Sequence, residues 1–527
     1  MRIGVDVGGT NTDAVIMDGQ IVLSAHKTPT TPKLSEGIIA AIGAALKGAA
    51  IDAHSIEAVM IGTTHFTNAF VERRGLMPVG VVRIALPSSR GILPFSGWPS
   101  DLSKALCSQQ HLVEGGYHFD GRVADPLDEK AIAAAARRIH SAGLRTVAVT
   151  GLFSPVNPAM EVRAKEIIAN EAPDLTVTLS SEIGRMGILE RENAAIMNAS
   201  LADLSRNVVE SFRSALDGLA ISAPFFISQN DGALMSAEYV ERYPVLTFAS
   251  GPTNSMRGAA YLSGLADALV ADIGGTTTDI GMLKNGFPRE SSLDVGIGGV
   301  RTNFRMPDIL ALGLGGGSLV EERNGALHIG PRSLGYRLTE EALVFGGRTI
   351  CATDLAVAAG KAEIGDRHRV SHLSPKMVAG GLGRIQEMLA AGVDQMKTSA
   401  EPVPLILVGG GSLLVTDSVA GASETIVPEH AAVANAIGAS IAQVSGETDR
   451  VFAYEETGRE AALDAAKREA RERAEAAGAD PGSLRIVELE EMPLAYMPGG
   501  AVRIRVKVVG DLERIALPTS TLLEGHA

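Results

Sequence analysis

The chain carries the same short pattern twice, IGVDVGGTNTD at residues 3–13 and ADIGGTTTDIG at residues 271–281. In each copy an apolar run ends in an aspartate, two glycines and a threonine follow, and a second aspartate opens another apolar run. Asp6, Gly8, Gly9, Thr10, Thr12 and Asp13 align with Asp272, Gly274, Gly275, Thr276, Thr278 and Asp279, 266 residues further on. Each copy reads as two short strands joined by a glycine turn. Without a Cβ on the glycines, backbone N–H groups and threonine hydroxyls can turn toward an anion. One copy alone is compatible with a plain hairpin turn. Two copies, one in each half, predict a clamp that grips a polyphosphate from both sides, with Gly8, Gly9, Thr10, Asn11, Thr12, Gly274, Gly275, Thr276, Thr277 and Thr278 at the phosphates. Asp6 and Asp272 are expected to hold Mg²⁺ through its waters, because that ion keeps most of its hydration shell and takes one or two carboxylates.

Between and after the two copies, strands alternate with helices. A helix is expected over 35–47, a buried strand over 56–62 ending in Thr63-Thr64-His65, and a helix from Asp128 leading to a strand at 146–153. Residues 84–126 are richer in Pro, Gly and aromatics and weakly periodic, so they read as an insertion. Apolar residues three and four apart make 182–215 mostly helical, a hinge between halves. Another apolar strand, 404–408, opens into Gly409-Gly410-Gly411. From Thr448 the composition shifts to a charged helix over 457–477 and two β-rich runs. With 527 residues, more than one hydrophobic core is expected. The alternation implies two α/β lobes: 1–181 with its insertion, 182–447 with the hinge helix, and a small α+β module at 448–527.

A net charge of −14 argues against a nucleic-acid partner, which needs clustered Lys and Arg. Only Cys107 and Cys351 are present, too few for a disulfide framework, and both read as small buried hydrophobes. There is no apolar run long enough for a membrane span, and the opening MRIGVDVGGT is a strand and turn rather than a leader, so a cytoplasmic protein is expected. His368 and His372 stand four apart without the glutamate of a zinc-protease motif, and read as a solvated pair.

The glycines of LVGGGSLLV (407–415) would let a planar base lie on the backbone, which places Gly409, Gly410 and Gly411 at an adenosine. In order and spacing the three glycine motifs are similar to the two phosphate segments and the adenosine segment of the actin, sugar-kinase and heat-shock chaperone superfamily. The segment ANAIGAS (434–440) stands where that fold's closing helix would lie. The likeness narrows further. GTTHFTNAFVERRG (62–75), SSEIGRMGILERENAAIMNASL (180–201) and SQNDGALMSAEYVERYPVLTFASGPTNSMRGAA (228–260) resemble the hydantoinase/oxoprolinase family, in its large A-type subunit, over roughly 1–445.

That resemblance implies two ribonuclease-H-like, actin-like ATPase lobes with ATP and Mg²⁺ in the cleft between them. It also implies ATP-dependent chemistry on a small cyclic amide such as a hydantoin, lactam or oxoproline. Asp6, Asp272, His65 and Glu190 are the catalytic candidates, and Asn68 and Asn198 are expected on the substrate side. An oligomer is expected, homomeric or with a second subunit. Two positions depart from the family pattern: Leu310 and Ser181 stand where members commonly carry histidine. A small-molecule kinase, an ATP-dependent carboxylase subunit and a non-catalytic ATPase switch of the reactivating-chaperone type use the same clamp and stay open as alternatives.

Overall fold

The computed structural model describes residues 1–31, 33–291, 295–323, 326–415, 418–495, 497 and 499–513. Its frame is two sheets of the same design. In the first, Arg2–Val7 pairs antiparallel with Asn11–Asp18, which pairs with Ile21–Pro29, while the other edge of Arg2–Val7 takes Ala58–Thr63 in parallel. Phe225–Ser228 extends this sheet in parallel. In the second, Ala268–Ile273 pairs antiparallel with Thr278–Lys284 and in parallel with Val403–Val408, beyond which lies Ala422–Ile426. This order, three antiparallel strands followed by parallel ones, is the ribonuclease-H-like lobe, present twice. Central strands buried on both faces must be apolar throughout, which is why Ile3, Val5, Val59, Ile61, Leu269, Ala271, Leu405 and Leu407 lie inside.

Strands are shared between the lobes differently from a boundary at 181/182. Phe225–Ser228 and Ala233–Ser236 belong to the first sheet, as does Gln443–Ala453. The segment expected as a hinge is enclosed. Helix Ile188–Ser200 packs on the strand Thr146–Gly151, and its last ten residues are all buried. A helix enclosed all round is a core element, and this one also touches the strand Val300–Thr302. It is clamped there by the buried pair of Arg83 and Glu192, with Nε to Oε1 at 2.8 Å. The expected insertion is part of a parallel four-stranded sheet, Thr176–Leu179, Thr146–Gly151, Val79–Leu86 and Cys107–Glu114.

The lobes meet at two crossing helices. Ser250–Ser263 packs on the second sheet and Ala434–Ser440 on the first. Their backbones touch at two glycines: a Cβ on Gly258 would fall 1.9 Å from the Ala434 carbonyl oxygen, and one on Gly438 would fall 1.8 Å from that of Asn254. No residue with a side chain fits at either position. Beyond the first lobe, the strands of 443–510 continue its sheet to nine strands. The charged helix Arg459–Ala476 turns Ala462, Leu463, Ala466, Ala470 and Ala474 onto that extension and its charged residues outward. The end of the expected C-terminal module, 514–527, lies outside the described residues.

Candidate functional site

The two repeats form hairpins of one geometry. Asp6 faces Asp13 and Asp272 faces Asp279 in register, and the turns close alike, Gly8 N–H to the Asn11 carbonyl at 3.0 Å and Gly274 N–H to that of Thr277 at 2.9 Å. The hairpins share one electrostatic environment. Burial first, then Asp13 and Asp272, push the Asp6 carboxyl up to about 7, against a bonding Asn435 that favours its charge. Asp279 is likewise raised to about 7 by burial and then by Asp272. Asp272 keeps some exposure to the cleft, yet the surrounding protein raises it, with Asp13 adding and Ser255 and Lys27 opposing. Four carboxyls converge on the space between the turns, attended by Lys27, whose Nζ lies 2.7 Å from Asp13 Oδ2.

Residues from remote parts of the chain complete this floor. Asn435, on the closing helix, donates its Nδ2 to Asp6 Oδ2 at 2.9 Å and to Asp13 Oδ2 at 3.0 Å. Ser255 donates to Asp272 Oδ2 at 2.5 Å. The other oxygens, Asp6 Oδ1 and Asp13 Oδ1, are buried without a hydrogen-bond partner among the described residues. Buried carboxylate oxygens ordinarily find donors or cations. None of these three helpers, Lys27, Asn435 and Ser255, is singled out by the sequence, although Asn435 lies in ANAIGAS and Ser255 in the run SGPTNS that supplied part of the family likeness.

The glycine turn after Val403–Val408 lies across the second hairpin. Gly411 N–H bonds the Ile273 carbonyl at 2.7 Å, and a Cβ on Gly409 would fall 2.3 Å from Asp272 Oδ1. A Cβ on Gly410 or Gly275 would meet nothing within 4 Å, so neither glycine is demanded by packing. On the far side, Gly316 and Gly317 donate to the Gly274 and Gly275 carbonyls at 3.0 and 2.7 Å, buttressing the turn.

Of the threonines expected at phosphates, Thr276 and Thr277 are exposed on the second turn and Thr10 and Asn11 are partly exposed on the first. Thr12 and Thr278 are buried, and the Thr278 hydroxyl donates to the Leu314 carbonyl at 2.7 Å. Strand alternation is the reason: Asp13 and Asp279 point to the cleft, so their neighbours point away.

Asn68 stands beside the first turn, with its Nδ2 3.8 Å from where a Gly9 Cβ would be. His65 begins the same short helix, His65–Val71, and is exposed; the protein mass around it, then Arg74, hold its imidazole below the ordinary value, so it is neutral at pH 7. Glu190 is turned to Arg301, 3.5 Å away, and lies beside the Gly187 turn. Asn198 is 2% exposed and fully engaged: it donates to Thr178 Oγ1 and the Arg242 carbonyl at 3.2 and 2.8 Å and accepts from Val245 N–H at 3.4 Å. It knits the core rather than facing the cleft. Asn198→Ala would leave two buried backbone groups short of a partner, so it is expected to cost about 2 kcal/mol of stability in urea unfolding while leaving nucleotide affinity unchanged.

The two departures have structural explanations. Leu310, on Ile309–Leu312, packs against the second-lobe core, and Ser181 donates its hydroxyl to the buried Glu161 at 2.7 Å. The Cys351 thiol is buried and pushed up to about 12, which suits a small core residue rather than a nucleophile, and Cys107 is half-buried. His368 and His372 are both exposed. Among the described residues no helix is long and apolar enough to cross a membrane.

Comparison with known proteins agrees with this architecture. Residues 2–172 match the family model for the hydantoinase/oxoprolinase N-terminal region and residues 191–368 the hydantoinase/oxoprolinase model. The acetophenone carboxylase gamma subunit of Aromatoleum aromaticum is 27% identical over 396 residues, covering 68% of this chain and 53% of that protein. The caprolactamase subunit alpha of Pseudomonas jessenii is 26% identical over 390 residues, covering 68% and 54%. The chain therefore spans about half the length of the curated relatives it matches. The crystal structure of the ATP-dependent caprolactamase from Pseudomonas jessenii superposes with a TM-score of 0.78 at 21% identity, over 98% of this chain and 88% of that one, a likeness of fold.

Proposed function

This chain belongs to the hydantoinase/oxoprolinase family, and on that footing we propose that it is an ATP-dependent enzyme that activates a small cyclic amide by phosphorylating its carbonyl oxygen. The observation that carries the reading is the pair of matched hairpins whose aspartates share one electrostatic field across the cleft. Phosphoryl transfer asks a protein chiefly for positioning and charge stabilisation. The two turns supply backbone and the hydroxyls of Thr10, Thr276 and Thr277 for the phosphates, with Asn11 beside them. Gly409, Gly410 and Gly411 supply a flat bed for the adenosine, and the open faces of Gly275 and Gly410 leave room for a ligand.

The carboxyl cluster suits Mg²⁺ as well. Asp6 Oδ1 and Asp13 Oδ1 lack donors among the described residues, and Asp6 is raised by burial first and by the neighbouring Asp13 and Asp272 after it, a charge penalty that a dication would relieve. Among the described residues no three acidic, His or Cys side chains converge tightly enough to ligate a metal directly, so Asp6 and Asp272 would hold it through waters. When bound, the ion supplies charge neutralisation at the phosphates.

In the reaction, the amide oxygen attacks the γ-phosphorus and ADP leaves. Water then adds to the activated carbon, the ring nitrogen departs, and the remaining acyl phosphate is hydrolysed to carboxylate and inorganic phosphate. Neutral His65 and the neighbouring Asn68 stand at the edge of the first turn, suited to steering that water or the substrate carbonyl. A second subunit would complete the substrate side, as the relatives named as subunits suggest. The likeness to an acetophenone carboxylase subunit favours a second reading, an ATP-dependent carboxylase component in which a ketone's enol oxygen is phosphorylated instead.

ADP release measured against a panel of lactams and hydantoins, and against ketones with bicarbonate, separates these, each run with and without a candidate second subunit. At least tenfold stimulation by a cyclic amide is expected. Stimulation by ketone and bicarbonate alone would select the carboxylase, and substrate-independent turnover would remove both.

A further inference from the structure

The helix Ser250–Ser263 reaches both hairpins with consecutive residues. Ser255 bonds Asp272, and Asn254 lies on the Asp6 side. Asn254 is wholly buried, yet both its Oδ1 and its Nδ2 lack a hydrogen-bond partner among the described residues. Asp6 Oδ1 is in the same condition. The two meet over one glycine: a Cβ on Gly62 would fall 2.4 Å from Asn254 Nδ2 and 2.6 Å from Asp6 Oδ1, which puts those atoms within about 5 Å of each other. Any larger residue at 62 would collide with both atoms.

An unpartnered buried amide is costly to keep, because the group has given up water and gained nothing. A buried donor and an orphaned carboxylate oxygen brought together at one glycine, each without a partner among the described residues, are the pair expected where a third, small polar group is to be held. We propose that Asn254 is a positioning residue of the nucleotide site, whose amide and the Asp6 Oδ1 together hold one water of the hydrated Mg²⁺ that accompanies the nucleotide. The inference rests on the nucleotide reading above and adds to it a residue from the interlobe helix. Because Ser255 anchors Asp272 from the same turn of helix, the two lobes' aspartates would then be set relative to the metal by a single rigid element.

Two measurements on Asn254→Ala test this, with the full chain and a fluorescent ADP analogue as probe. Removing an unpartnered buried amide leaves nothing newly orphaned, so the nucleotide-free variant is expected to melt at or above the wild-type temperature. The Mg²⁺ concentration giving half-maximal ADP uptake is expected to rise about tenfold, with uptake in the absence of metal unchanged. Asn254→Asp, which puts an oxygen that can accept from a water where Nδ2 stands, is expected to return the Mg²⁺ requirement to within about threefold of wild type. An unaltered Mg²⁺ requirement in Asn254→Ala, or a nucleotide-free variant that melts several degrees lower, overturns the inference while wild-type uptake of ADP keeps the functional reading. Failure of the wild type to take up ADP at any Mg²⁺ concentration overturns both.

Discussion

Asp6→Asn is expected to lower ATP turnover about 10³-fold and, in the same variant, to make the nucleotide-free protein more stable at pH 8. The loss follows if Asp6 is one of the groups that set charge at the transferring phosphate, where removal of a single preorganised group costs factors of this size. The gain follows from linkage. Asp6 is raised from its ordinary 3.8 to about 7 in the folded protein, by burial first and by Asp13 and Asp272 after it. A carboxyl raised in the fold binds its proton more tightly there than in the unfolded chain. Its favourable contribution is therefore present below about pH 4 and lost as pH rises toward and through about 7. Above that pH the wild type holds a disfavoured charge and the amide does not. At most about 4 kcal/mol is at stake, from the conversion of about 1.4 kcal/mol per pH unit. Urea unfolding of both proteins at pH 4 and pH 8, with a coupled assay for ADP, measures both effects. Equal stability difference at the two pH values would show that Asp6 titrates normally, and retained turnover would remove it from the site.

The parts of this site that could be read in the sequence are those built within a few residues. Each hairpin is an apolar run, an aspartate and a glycine turn in continuous chain, and the Gly409 turn is one strand end, so periodicity and turn chemistry define them. Thr12 and Thr278 were within reach of the same logic, since alternation that sends Asp13 and Asp279 to the cleft must send them inward. Asn435 is different. It joins Asp6 from 429 residues away, a proximity created by the glycine-to-glycine crossing of two helices; ANAIGAS marks the helix, but nothing in that run pairs its asparagine with Asp6. Asn254 and Ser255 reach the hairpins through the same tertiary packing, whereas Lys27 faces Asp13 across the neighbouring antiparallel strand. Asn198 shows the opposite failure: its helix resembles a functional motif, but a polar residue in a helix buried all round is spent on the core. The lobe boundary was misplaced for a related reason, because Phe225–Ser228 looks alike whichever sheet it joins, and only its parallel pairing to Ala58–Thr63 assigns it.

Two adjacent glycines, Gly409 and Gly410, should separate architecture from ligand contact. Gly409 has φ +83, a left-handed conformation that costs an L-residue about 1–2 kcal/mol, and its Cβ would press on Asp272 Oδ1 at 2.3 Å and the Ile273 carbonyl oxygen at 2.5 Å. Neither contact can be tolerated, and neither neighbour is the free end of a long side chain. Asp272 or the turn must move by something near an ångström, a displacement that costs an aligned site about 100-fold. Gly409→Ala is therefore expected to lower both stability and nucleotide affinity, the affinity by at least about 100-fold. Gly410 has no positive φ and open space around its Cβ position. Gly410→Ala is expected to leave unfolding unchanged or slightly improved, since it restricts the unfolded chain. Its one predicted defect is in nucleotide affinity, about tenfold, from a methyl group raised into the bed proposed for the adenosine. Calorimetric titration of ADP into both variants, beside their urea unfolding curves, gives the four values needed. If Gly410→Ala binds ADP as the wild type does, the base does not lie on this turn, and the open face of Gly410 belongs to solvent.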